Sequence, residues 1–310
     1  MSQELNPFAI AQQQLAMAVD VMGLDEATQI ELIKELISAQ LVSEATADTF
    51  TFRHALTRQA IYNELLQRER SGLHQSVGEA IEQLQIRAAA AKPGDSSASY
   101  SAGLANHFYE ANQWAKALRY AQHAGTQAQR LDAPSAAVIH FTWAIEAAQK
   151  LDVEQPHHDL FHARAQAAER IGDFEHARAD YETALAAARS TRATHAEWQN
   201  LLALGFLWTA RSYQQAGDYF QAALGLARTR QEPIALGQTL NWLGRWHSMM
   251  DQPQEARQLQ QEALTIFQTV GDRNGLAATL SLLGWTNDVG ADLYASVAAY
   301  TEAVALTAFS

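Results

Sequence analysis

The apolar positions of the chain change period more than once. Pro7 to Val21 carries Ile10, Leu15, Ala18 and Val19 at helical spacing in a glutamine-rich background, which predicts a first helix. Ile30, Ile33, Leu36 and Ile37 then share one helical face up to Gln40, and Asp25 stands where a carboxylate caps a helix beginning at Glu26. Residues 41–52 alternate instead. Leu41-Val42-Ser43-Glu44 and Thr49-Phe50-Thr51-Phe52 flank a polar Ala45-Thr46-Ala47-Asp48 turn, the pattern of a β-hairpin. Helical spacing returns at Leu56, Ala60, Ile61 and Leu65, and again at Leu73, Val77, Ile81 and Leu84.

From Tyr100 onward the pattern is helical throughout, first as Tyr100–Glu110, Trp114–Leu131 and Ser135–Leu151. A recurring set of small and aromatic residues follows: Ala177, Tyr181, Ala184; Ala216, Phe220, Ala223; Ala256, Gln260, Ala263; Ser296, Tyr300, Ala303. The period is about 40 residues, within the range of stacked repeats. Leu243-Gly244 and Leu283-Gly284 precede two of these sets at the same distance, so each repeat contains two helices. Small residues at those points let paired helices approach closely. Pro134, Pro156, Pro233 and Pro253 fall between helices. Ala88 to Ser97, with Pro93-Gly94, is the one low-complexity stretch and marks a boundary. The expected organisation is a small domain over 1–87, a linker over 88–99, a helical connector with irregular first repeats over 100–157, and regular repeats over 158–310.

The repeat pattern over Phe161–Leu306 resembles the tetratricopeptide repeat in its longer form of about 40 residues. It departs at Gln260, where an aromatic is usual, at Ser296 in place of alanine, and in a one-residue offset of Leu204-Gly205. The resemblance implies an all-α fold, a right-handed superhelical array of antiparallel helix pairs. Helix, helix, hairpin, helix over residues 1–87 is a winged-helix order. Phe50 to Tyr62 and Leu73 to Ile81 resemble the winged-helix segment of STAND-type signal-transduction ATPases, including large LuxR-type regulators, where such repeats follow directly. Leu104-Ala105-Asn106-His107-Phe108 and Ala121 to Gly125 resemble the helices joining the two regions. No G-x-x-x-x-G-K-[ST] loop occurs, so the resemblance implies a fragment, or a chain that lacks the family's motor, without ATP turnover of its own.

Charge and composition narrow the function further. The net charge is −12, and residues 1–90 hold 6 Lys/Arg against 12 Asp/Glu. A phosphate backbone demands clustered cations, so direct nucleic-acid binding is disfavoured; the candidate recognition helix Glu31–Gln40 has Lys34 alone. The chain has no cysteine, which removes disulfides and thiolate chemistry and suits a reducing compartment. No apolar run approaches the ~18 residues of a membrane span, and a cytoplasmic location is expected. No cofactor is expected, nor any catalytic or metal site. His158 and His162 have a ligand-like spacing beside Asp159, but no third ligand is placed.

Two candidate sites remain. Arg53 and His54 directly precede a helix, where free N–H groups favour an anion, and the STAND resemblance implies nucleotide sensing there in an intact parent. The second candidate is the face of the repeat helices opposite Leu243-Gly244 and Leu283-Gly284. It carries Asn241, Trp242, Arg245, Ser248, Met249, then Ser281, Trp285 and Asp288. Trp242 and Trp285 read as equivalent positions one repeat apart, flanking a bound segment while Arg245 supplies charge and Asn241 an amide. The expected partner is a protein, a peptide or a small anionic effector. A sequence-specific DNA regulator and a purely structural scaffold are the rival readings. The apolar face of Val297 and Val304 in the last repeat is expected to support self-association.

Overall fold

The computed structural model describes residues 25–46, 49–91, 100–151 and 157–307; the helix expected at Pro7–Val21 lies outside them. The chain forms two compact units, Met1–Glu154 and Gln155–Ser310.

In the first unit, α1 (Glu26–Ser38) begins at the expected cap: the Asp25 carboxylate accepts the Thr28 N–H at 3.0 Å and the Thr28 hydroxyl at 2.7 Å. β1 (Val42–Thr46) and β2 (Thr49–Phe52) pair antiparallel, with Val42 opposite Phe52 and Glu44 opposite Phe50. Val42 and Glu44 share one face of β1, along which burial falls from the buried Val42 to the exposed Glu44. α2 (Ala55–Glu64) has no buried residue. α3 (Gln67–Ala91) is longer than the apolar spacing of Leu73–Leu84 suggests, because no helix breaker follows before Pro93 and alanine is the best helix former. α4 (Ser101–Glu110), α5 (Trp114–Arg130) and α6 (Pro134–Lys150) follow, within one or two residues of the expected bounds. Ile81, Leu104, Phe108, Ala117 and Ala147 form the core they share.

A hydrogen-bonded chain ties α2 to α3 and α4. Tyr62 Oη lies 3.0 Å from His74 Nε2, and His74 Nδ1 lies 3.0 Å from His107 Nδ1. Two facing Nδ1 atoms accommodate one proton between them, so the pair cannot be doubly charged in this geometry. Burial lowers His74 and pushes His107 down to about 4. A depressed histidine contributes its full stability above the unfolded value of ~6.5 and loses it as pH falls. The melting temperature is therefore expected to drop between about pH 6.5 and pH 4, and His107→Phe should flatten that slope in a thermal scan across pH. An unchanged slope in the variant would exclude the pair as its origin.

The second unit is four antiparallel pairs: α7 (His158–Arg170) with α8 (Phe174–Ser190), α9 (Thr194–Thr209) with α10 (Tyr213–Arg230), α11 (Pro233–Met249) with α12 (Pro253–Val270), and α13 (Arg273–Val289) with α14 (Leu293–Thr307). Pro134, Pro233 and Pro253 stand at the first position of a helix, not in the loop before it, since the missing N–H is an orphan donor there anyway. The last three pairs each close on a glycine facing a large side chain. A Cβ on Gly205 would lie 2.5 Å from the Phe220 ring, and one on Gly284 would lie 2.9 Å from Tyr300. The same seam joins Gly244 to Gln260, and in the first unit Gly125 to Phe141 and Gly78 to Phe108. In α7/α8, Arg164 forks onto the buried Asp180 carboxylate at 2.7 and 2.8 Å, and the Tyr181 hydroxyl donates to Glu169 at 2.8 Å. At its far end, α14 leaves Leu293, Tyr294, Val297 and Val304 exposed.

Candidate partner-binding face

Successive first helices of the second unit are tied by buried polar groups. Asn200, Thr239 and Thr279 each stand five residues before the seam position of α9, α11 and α13, and each receives a side chain from the preceding first helix. His162 Nδ1 meets Asn200 Oδ1 at 2.9 Å, Trp198 Nε1 donates to Thr239 at 2.8 Å, and Asn241 Nδ2 donates to Thr279 at 2.8 Å. Thr239 and Thr279 pass their own hydroxyl protons to Ala235 and Gly275 carbonyls, so the bonds form relays along each helix. Ser248 and Thr286 add a further link at 2.8 Å.

These ties move two expected site residues off the open face. Asn241 and Ser248 are 5% and 3% exposed and turn into the α11/α13 interface, because Thr279 and Thr286 present hydroxyls opposite them. His162, half of the ligand-like His158/His162 spacing, is held by Asn200. The alignment on the seam glycines also corrects the equivalence of the two indoles. Trp285 directly follows Gly284 as Arg245 follows Gly244, so Trp285 is the counterpart of Arg245 and Leu282 that of Trp242.

What stays together is Trp242, Arg245 and Trp285. The exposed Arg245 guanidinium carbon lies 5.7 Å from the Trp242 ring centre and 5.9 Å from that of Trp285. Arg245 has no ion-pair partner among the described residues. Phe206 of α9 joins them, edge-on to Trp242 at 4.4 Å and 86°. It was detectable from the sequence: Phe206, Arg245 and Trp285 each directly follow the seam glycine of their helix. Met249 and Asp288 are exposed near the ends of α11 and α13, and Ser281 is exposed with its hydroxyl returned to Ala277 O at 2.9 Å. Half-buried rings around an exposed, uncompensated guanidinium can hold an extended segment by stacking and pair an anionic group.

Residues 236–307 match the tetratricopeptide repeat family. These tetratricopeptide-like pairs have counterparts in solved structures. BtubC (BKLC) from P. vanneervenii is 18% identical with a TM-score of 0.57, over 69% of this chain and 92% of that one. A Rap protein complexed with competence and sporulation factor is 12% identical with a TM-score of 0.54, over 96% and 75%. The apo quorum sensor NprR from B. thuringiensis is 11% identical with a TM-score of 0.53, over 96% and 76%. Identities this low carry the fold alone. No curated protein sequence matches the chain.

In the first unit, Arg53 and His54 are exposed at the start of α2. His54 occupies the cap position with extended backbone, its carbonyl accepts the Thr57 and Arg58 N–H groups, and its imidazole makes no capping bond. Among the described residues, no helix is long and apolar enough to cross a membrane.

Proposed function

We propose that the chain is a non-catalytic interaction and sensing module whose tetratricopeptide-like first helices hold a peptide or extended protein segment bearing an anionic group. One observation carries this reading: Arg245, exposed and without a counter-charge, is framed by Trp242 and Trp285. An uncompensated cation between two indoles favours a carboxylate-bearing ligand over a cationic one, locally against the chain's net charge of −12. The Rap protein of similar fold, complexed with competence and sporulation factor, supports a sensing role for such an architecture.

The test is selection from a display library of extended peptides on the intact chain. Carboxylate-bearing sequences are expected, and Trp242→Ala and Arg245→Ala should each weaken the selected peptide about tenfold or more. Arg245 is exposed, so the melting temperature of Arg245→Ala should hold; Trp242 is half-buried against Phe206, and Arg245→Ala decides alone if Trp242→Ala melts early. Equal affinity in both variants, or selection without acidic residues, would sink the assignment.

The hairpin and helix pair ahead of the repeats support placing the module within a signal-transduction ATPase or a transcriptional regulator. Arg53 and His54 would there meet phosphates bound by another domain. A phosphate-binding loop encoded upstream is the observation that checks this parentage; flanking sequence without one removes it.

A further inference from the structure

The first unit holds a second aromatic cluster, on α4, α5 and α6. Tyr109 stacks on Trp143, with centroids 5.5 Å apart and planes at 23°, and meets Trp114 edge-on at 5.8 Å and 78°. His140, three residues before Trp143, sets its ring edge-on to the indole at 5.3 Å. All four rings are half-buried. The Tyr109 hydroxyl donates a hydrogen bond to Glu146 Oε2 and so holds that carboxylate beside the rings.

The charge here is uncompensated. Glu146 is half-buried and has no cationic partner among the described residues. The nearby imidazole does not supply one: burial pushes His140 down to about 4, which leaves it neutral at pH 7, and its Nδ1 is buried without a hydrogen-bond partner. Tyr109 is pushed up to about 12, first by its bond to Glu146, and keeps its proton as the donor. A carboxylate, one oxygen of which is not engaged by Tyr109, thus stands at the edge of the ring cluster. Rings attract a cation through their quadrupole, and a partly desolvated carboxylate strengthens any ion pair made there. An aliphatic stem would lie along the apolar rings while its charged head reached the carboxylate.

We propose that Glu146, Tyr109 and Trp143 receive a basic side chain, lysine or arginine, presented by a partner polypeptide. The requirement is opposite in sign to that of Arg245 in the second unit, so the two sites are occupied by different groups. The net charge of −12 draws a basic segment toward the chain, and the cluster gives it one defined seat.

The probes are blocked tripeptides, acetyl-Gly-Lys-Gly-amide and its arginine counterpart, with the glutamine counterpart as control, titrated into the full chain and followed by tryptophan fluorescence. Saturable binding of both basic peptides and none of the control is expected. Glu146→Gln should weaken binding about tenfold or more, since the amide still accepts the Tyr109 proton but carries no charge. Glu302→Gln, an exposed carboxylate on α14, should leave it unchanged. Trp143→Leu should also weaken it; if that variant melts early, Glu146→Gln decides alone. Equal losses in Glu302→Gln and Glu146→Gln, no loss in Glu146→Gln, or no saturable binding by the unmodified chain would overturn the proposal.

Discussion

Phe220→Ala is expected to remove about 3–5 kcal/mol of folding stability, the usual cost of emptying a buried aromatic site. Phe220 is 2% exposed and lies against Gly205 on the partner helix, at a distance that leaves no room for even a methyl group. The seam is also tight from the other side. Gly205→Ala places its Cβ 2.5 Å from the ring and should cost about 1–3 kcal/mol, the penalty of overpacking. Joined in one chain, the two changes should cost less than their sum, because the added methyl enters the space the ring has left. Urea denaturation of the two single variants and the double variant measures all three numbers. Strict additivity would mean that the ring and the glycine are not packed on each other in solution, and a loss under about 1 kcal/mol in Phe220→Ala would remove the seam as a source of stability.

The same seam explains how much of the fold could be read from the sequence. In the second unit Gly205, Gly244 and Gly284 and their large partners recur at about the 40-residue period, so the helix pairs were legible. In the first unit the Gly125–Phe141 seam has the same separation as Gly244–Gln260, yet it stood alone, because residues between α3 and α4 stretch the Gly78–Phe108 step. With the period broken, α5 and α6 read only as helices. Helix ends were legible from apolar spacing and less so from caps. Residues at left-handed φ follow many of the helices, but Asn112, Asp132, Arg192, Gln231, Asp251 and Ala291 carry it where glycine would have signalled it. The binding face was legible in its exposed members, Trp242, Arg245 and Trp285. Asn241 and Ser248 were not, since a polar residue on a helix turns inward only when a neighbour presents a partner. Thr279 and Thr286, on another helix, do so.

Gln260→Phe is expected to stabilise the chain by about 2 kcal/mol. Gln260 is wholly buried in the α11/α12 seam, its Cγ lies 2.9 Å from where a Cβ on Gly244 would stand, and neither amide atom has a hydrogen-bond partner among the described residues. A buried amide without partners costs about 1–3 kcal/mol, and a buried aromatic ring returns a comparable transfer free energy. Against this stands the overpacking penalty of a larger side chain, about 1–3 kcal/mol. Equivalent seams limit that penalty, for the ring of Phe220 lies on Gly205 and that of Tyr300 on Gly284. Gln260→Leu separates the two contributions. It nearly conserves volume and removes only the amide, so it should raise stability by about 1 kcal/mol with no gain in packing. Thermal and urea unfolding of both variants gives the ordering phenylalanine above leucine above glutamine. If leucine instead lowers stability, the amide is hydrogen-bonded in solution to an internal water, and the glutamine is there to hold it.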